Sequence, residues 1–200
     1  MDDCPPLVAR ARALAEQTGF PLTRGAAGSG PSASLPGVGR FLAVLAAGCA
    51  GGRIGEIGTG VGIGAAWMAS AMPADCVLIT VEIDSGRAAA AARLLADDRR
   101  VEVLAGDARD LLGHRGPFDL LFADGGWRDP AGLASLVELL AVGGKIIMDD
   151  VTPLELLPPD SPLRTADVKR QLFFGDDRLI SAEVVLPDLR NSLLVGTRRH

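Results

Sequence analysis

A chain of 200 residues, 48% hydrophobic and 22% charged, has the make-up of one folded domain with a small addition, and it can bury a substantial core. Its net charge of −5, with basic residues scattered along the chain, argues against a broad electrostatic grip on nucleic acid. Three widely spaced cysteines, Cys4, Cys49 and Cys76, have no metal-ligand spacing, which argues against a disulfide framework or zinc site and points to a reducing cytoplasm.

The acidic start, MDDCPP, lacks the apolar segment of a signal peptide. Residues Pro5 to Thr18 carry Leu7, Val8, Ala11, Leu14 and Ala15 at helical spacing, with Gly19 as the stop. Arg24 to Gly37 is rich in Gly, Ser, Ala and Pro and reads as a flexible lid loop. Residues 1–37 are therefore expected to form an N-terminal helix and lid, and 38–200 the main domain. A second helix follows from Val38 to Ala47. The uncharged stretch Phe41–Gly52 is too short to cross a bilayer, so no membrane partner is expected.

From there strands and helices alternate. Strands are predicted at Arg53–Gly58, Val77–Ile83, Val101–Leu104, Phe118–Ala123 and Gly144–Met148. Helices are predicted at Ile63–Met72, Ser85–Ala96 with Ser85 as cap, Ala108–Leu112 and Asp129–Leu140. Such alternation gives a parallel sheet with helices on both faces. The tail differs: a helix at Leu163–Phe174 precedes two strands, LISAEVVLP and NSLLVGTR. The link between them, Asp188–Arg190, is too short for a crossover, so they must be antiparallel. The fold class is α/β, a Rossmann-like seven-stranded, mostly parallel sheet with an antiparallel C-terminal strand. This is not the six-parallel-strand dinucleotide fold.

The stretch Glu56–Gly64, EIGTGVGIG, joins the first strand to its helix. Glycines there allow a sharp turn and a close approach of ligand to backbone. The relaxed dinucleotide pattern fits at Gly60, Gly62 and Ala65, so the glycines alone admit a nicotinamide cofactor or S-adenosylmethionine (SAM). Three acids discriminate: Glu56, Glu82 and Asp107 all fall at carboxyl ends of predicted parallel strands, where ligands bind in open α/β sheets. Glu82 suits a ribose diol and Asp107 an adenine amino group. Glu56 would repel a dinucleotide phosphate and attract a cationic, methionine-type ligand.

The ordered set EIGTGVGIGAAWMA, VEID, GDA, FDLLFADG and GGKIIMDD resembles the motifs of class I SAM-dependent methyltransferases, and most closely the catechol and caffeoyl-CoA O-methyltransferase-like group, over Pro36 to Arg198. The resemblance implies that Glu56, Gly58, Thr59 and Gly60 hold the methionine end of SAM, that Glu82 and Ile83 meet the ribose, and that Asp107 and Ala108 flank the adenine. It implies O-methylation of a small hydroxylated acceptor, catalytic roles for Asp124 and Asp149, contact of Asp124 with the donor, and a homodimer. It also implies a Mg²⁺ or Ca²⁺ ion held by Asp124, Asp149 and Asp150.

Two departures bear on catalysis. Asp150 stands where the family has Asn, and Trp127 stands where the family has its lysine base. The chain has only two lysines, two histidines and no tyrosine. Lys145 and His114 precede strands, at the wrong end of the sheet; His200 is the last residue; Lys169 lies on the late helix, where a solvated face is the favoured reading and a reach into the site the other. Trp127 and Arg128 are expected near the methyl donor. Two rival readings stay open: an NAD(P)-dependent oxidoreductase, against which the missing tyrosine argues, and a non-catalytic SAM-binding module, which the missing lysine keeps in play.

Overall fold

The computed structural model describes residues 4–23, 31–124, 129–186 and 191–200. Residues 24–30 of the predicted lid, Trp127 and Arg128, and the link Asp188–Arg190 lie outside these residues.

Two helices open the chain, α1 (Pro6–Thr18) and α2 (Pro36–Ala47). The alternation follows as β1 (Arg53–Ile57), α3 (Ile63–Ala71), β2 (Val77–Glu82), α4 (Ser85–Leu95), β3 (Val101–Ala105), α5 (Ala108–Leu112), β4 (Phe118–Ala123), α6 (Pro130–Glu138) and β5 (Leu140–Val151). The tail supplies α7 (Val168–Gly175), β6 (Leu179–Leu186) and β7 (Asn191–Arg198). The strands form one sheet in the order β3-β2-β1-β4-β5-β7-β6. Strands β1 to β5 pair in parallel, and β7 runs antiparallel between β5 and β6. This is the expected Rossmann-like sheet, with the direction reversed at β7 alone.

Each face of the sheet carries its own apolar layer. One layer joins α1, α2 and α3 to Ile54, Leu78, Leu120, Phe122 and Ile147. The other joins α6 and α7 to Phe118, Leu121, Ile146 and Leu194. Helix α1 is part of the first layer, because Val8, Ala11 and Ala15 are fully buried in it. Helix α2 lies very close to α3: a Cβ on Gly39 would overlap the Trp67 indole.

Local boundaries differ from the sequence reading in ways that have physical causes. The cap of α4 is Asp84, whose carboxylate accepts from the Arg87 amide at 2.8 Å, so Ser85 is the first helical residue instead. The predicted helix Leu163–Phe174 divides into a short 3₁₀ turn, Pro162–Arg164, and α7. Asp167 starts α7 by accepting from the amides of Lys169 and Arg170. Strand β5 begins directly after α6 and extends to Val151. No described helix is long and apolar enough to cross a membrane.

Candidate donor and acceptor site

The order of the sheet changes direction between β1 and β4, which opens a crevice at their carboxyl ends. The Asp124 amide donates to the Ile57 carbonyl at 3.0 Å and ties the two strand ends together. The glycine loop spans the crevice. Gly58, Gly60 and Gly62 have φ of 94°, 56° and 97°, left-handed values that favour glycine. The amides of Gly58 and Thr59 donate to the Val81 carbonyl, which folds the loop against the end of β2.

Beneath the loop lies Glu56, 1% exposed. One carboxylate oxygen accepts from Thr80 Oγ1 at 2.5 Å, and Thr59 Oγ1 lies 2.5 Å from the same hydroxyl. Since Thr80 donates to Glu56, Thr59 must donate to Thr80, and the three form one directed chain. The other oxygen faces the first turn of α3, where a Cβ on Gly64 would strike it and would lie 3.4 Å from Ser34 Oγ. Burial, with some repulsion from Glu82, pushes the Glu56 carboxyl up to about 7.

Glu82 is 4% exposed and holds the loop from the neighbouring strand. It accepts from the Gly60 amide at 2.8 Å, from the Asp84 amide at 2.9 Å and from the Arg87 guanidinium at 2.8 Å. Next to it Ile83 is 73% exposed, and Asp107, the cap of α5, is exposed as well. Ala108 is buried behind them. An exposed branched apolar side chain beside an exposed carboxylate suits a flat, nitrogen-rich ring. Gly60 approaches Phe20 so closely that a Cβ would lie 2.9 Å from its ring, and the Ala33 amide donates to the Pro21 carbonyl at 2.8 Å. The segment after α1 is thereby fastened over the loop.

Across the crevice stand Asp124, Asp149 and Asp150. Burial, then the charges of Asp149, Asp150 and Glu56, raise the Asp124 carboxyl well above the usual carboxylate range. Asp149 is 4% exposed and also raised, chiefly by burial. Its carboxylate accepts from the Asp150 amide and from Asn191 Nδ2, each at 2.6 Å. Asp150 has a φ of 64°, unusual for a residue other than glycine.

The three acids share one end of the sheet, yet among the described residues no group of three His, Cys, Asp or Glu side chains is placed to hold a metal ion. Asp149 is drawn toward β7 by Asn191, and the backbone turns over at Asp150. For Lys169 the structure favours the reach toward the acids over the solvated face. Its ammonium donates to the Asp149 carbonyl at 2.7 Å, and its charge acts on both Asp124 and Asp149.

Sequence reasoning missed Thr80, Asn191 and Phe20. Thr80 had a usable signal, a polar residue inside an apolar strand two positions before Glu82. Asn191 had none, because its contact depends on β7 lying beside β5.

The comparisons agree with this geometry. A methyltransferase domain family matches residues 56–151. The "Probable O-methyltransferase" of Mycobacterium tuberculosis is 32% identical over 171 residues, which cover 80% of this chain and 76% of the relative. The chain belongs to the class I SAM-dependent O-methyltransferases of the caffeoyl-CoA O-methyltransferase-like type. A solved Klebsiella pneumoniae structure, provisionally designated an O-methyltransferase, is 26% identical with a TM-score of 0.76, and the match covers 100% of this chain and 93% of that one. The O-methyltransferase of Bacillus cereus, solved with S-adenosylhomocysteine (SAH), shares the fold with a TM-score of 0.78 at 22% identity, over 99% of this chain and 93% of that one. Family membership sets aside the nicotinamide reading of the methyltransferase's glycine loop.

Proposed function

We propose that this methyltransferase transfers the SAM methyl group to a hydroxyl of a small molecule bound between the glycine loop and Asp124. The observation that carries the reading is Glu56: a fully enclosed carboxylate beneath the loop, held by Thr80 and set against the first turn of α3, favours a cationic donor. Bound SAM supplies an electrophilic methyl group on a positively charged sulfur. Glu56, through the turn of α3 and the loop Gly58, Thr59 and Gly60, holds the methionine end. Glu82 and Ile83 take the ribose, and Asp107 and Ala108 take the adenine. Asp124 accepts a hydrogen bond from the acceptor hydroxyl and aims its lone pair toward the methyl position. Asp149, fixed by Asn191, shapes the floor beside it.

Residues 1–37 serve as the N-terminal helix and lid over residues 38–200. Phe20 against Gly60 and the Pro21–Ala33 bond support this division of labour. Free cysteines fit a cytoplasmic setting, and the family resemblance supports a homodimer; a hydrodynamic mass of one chain would overturn the dimer. Neither nucleic acid nor membrane enters as a partner.

The test is calorimetric titration with SAH, with NAD⁺ and NADP⁺ in parallel, followed by an acceptor screen with labelled SAM. Saturable binding of SAH alone is the expected result. Binding without turnover on any phenol, catechol or aliphatic alcohol would favour the non-catalytic module. The Mg²⁺- or Ca²⁺-assisted version of the reaction has its own check, turnover with EDTA against turnover with added metal.

A further inference from the structure

The acceptor side concentrates negative charge, and among the described residues no group of three acids is placed to hold an ion. Asp124, Asp149 and Asp150 stand close enough to perturb one another, and Glu56 adds to the field at Asp124. Among the described residues, Lys169 brings a cation into this field. Lys169 lies at the start of α7, where Asp167 accepts from its amide at 3.0 Å. The next residue, Arg170, anchors that turn. Its guanidinium binds Asp167 at 2.8 Å, Glu183 at 2.7 Å and the Thr152 carbonyl at 2.7 Å, with the side chain only 10% exposed. Glu183 is held in turn by Ser192 Oγ at 2.5 Å. The base of the Lys169 side chain is thus locked to β5, β6 and β7, and its tip is placed at the Asp149 carbonyl, 2.7 Å away.

We propose that the Lys169 ammonium is the resident cation of the acceptor pocket, filling the role that a divalent ion has in the family pattern. The inference rests on the methyltransferase reading above. The ammonium donates a hydrogen bond to the acceptor oxygen and stabilises the negative charge that develops on it. As the oxygen lone pair forms the new C–O bond, the C–S bond breaks and its electron pair returns to sulfur. The hydroxyl proton passes to the Asp124 carboxylate that accepts its hydrogen bond, and from there to water. Lys169 stays charged throughout and only positions and stabilises. A single hydrogen-bond donor also changes the substrate class. A chelated ion selects two adjacent oxygens, whereas an ammonium needs one. The preferred acceptor is then a molecule with an isolated, acidic hydroxyl such as a monophenol, and an adjacent pair of hydroxyls confers no advantage.

The test uses the full chain and its Lys169→Ala and Lys169→Arg variants. SAH titration comes first; loss of SAH binding by the unaltered chain would count against the methyltransferase reading itself. With SAH bound, titration of the unaltered chain with Mn²⁺ is expected to give no saturable binding. Turnover of a panel of monophenols and catechols is expected to be the same in EDTA as in Mg²⁺. Lys169→Ala should lower kcat by about a hundredfold while SAH affinity and thermal midpoint hold, and Lys169→Arg should recover part of the loss. Saturable Mn²⁺ binding that disappears in Asp124→Asn, turnover abolished by EDTA and restored by Mg²⁺, or full activity in Lys169→Ala would each overturn the proposal. If no panel member is methylated, SAH binding without turnover overturns the methyltransferase reading and this proposal with it, and saturable Mn²⁺ binding overturns the proposal by itself.

Discussion

Glu56 keeps its place at the expense of stability. Its folded value near 7 lies above the ordinary 4.5, so the folded chain holds a proton that the unfolded chain has released. Its contribution is fully favourable below about pH 4.5 and is lost as pH rises toward 7. That rise corresponds to roughly 3 kcal/mol above pH 7. Glu56→Gln, which can still accept from Thr80, should therefore raise the thermal midpoint at pH 8 and leave it nearly unchanged at pH 4.5; melting curves across that range check it. Donor binding should show the opposite trend. A cationic ligand favours the ionised carboxylate, so SAM affinity should rise from pH 6 to pH 8 in the unaltered chain and lose that slope in Glu56→Gln, as read by calorimetry.

Gly64 belongs to the same residue-scale problem. An added methyl group would strike the Glu56 carboxylate from the first turn of α3. Gly64→Ala should lower the stability of the fold by about 1–3 kcal/mol and weaken SAH binding together, since one displaced carboxylate underlies both. Denaturant titration and calorimetry on the same variant check the pairing. Glu56, Glu82 and Asp107 were legible in the sequence because they sit at strand ends, and strand ends follow from local alternation. Thr80 and Lys169 were harder. Reaching a neighbour on another strand or from a late helix is a matter of tertiary packing, which periodicity does not encode.

At the scale of elements, α7 is held by charge as much as by apolar contact. Asp167, Arg170 and Glu183 form an ion group whose side chains are 10–17% exposed. Removing the arginine leaves two carboxylates enclosed without their partner. Arg170→Met should cost about 3–5 kcal/mol in denaturant unfolding, while Glu183→Gln should cost less, because Arg170 keeps Asp167 and the Thr152 carbonyl. Helices α2 and α3 depend instead on a missing side chain. Gly39→Val should destabilise by pushing Trp67 away, a shift readable in tryptophan fluorescence. The sequence located nearly all of these elements but placed the start of α7 too early. Pro162 begins a 3₁₀ turn rather than the helix, and Asp167 supplies the true start.

For the whole molecule, the connection of the last two strands governs integrity. Strand β6 meets the sheet only through β7, which lies between it and β5. Removing residues 191–200 would detach β6, uncover Ile146, Ile147 and Met148 along β5, and take away Asn191 from Asp149. The truncated chain should fail to unfold cooperatively and should accumulate in the insoluble fraction on expression. The reversal of direction at the tail was readable from the shortness of the link before β7. The insertion of β7 between β5 and β6 was not, since either of two neighbours satisfies an antiparallel hairpin equally well.

That insertion also sets an order of assembly during translation. The donor cradle is drawn from residues 53–124, which leave the ribosome well before the tail. The proposed floor of the acceptor pocket must wait for residue 191, because Asn191 opens β7 and β6 reaches β5 only through β7. On the proposed site assignment, a nascent chain can thus possess a grip on the methyl donor before it has anywhere to deliver the methyl group, and the reaction centre closes only when β7 docks.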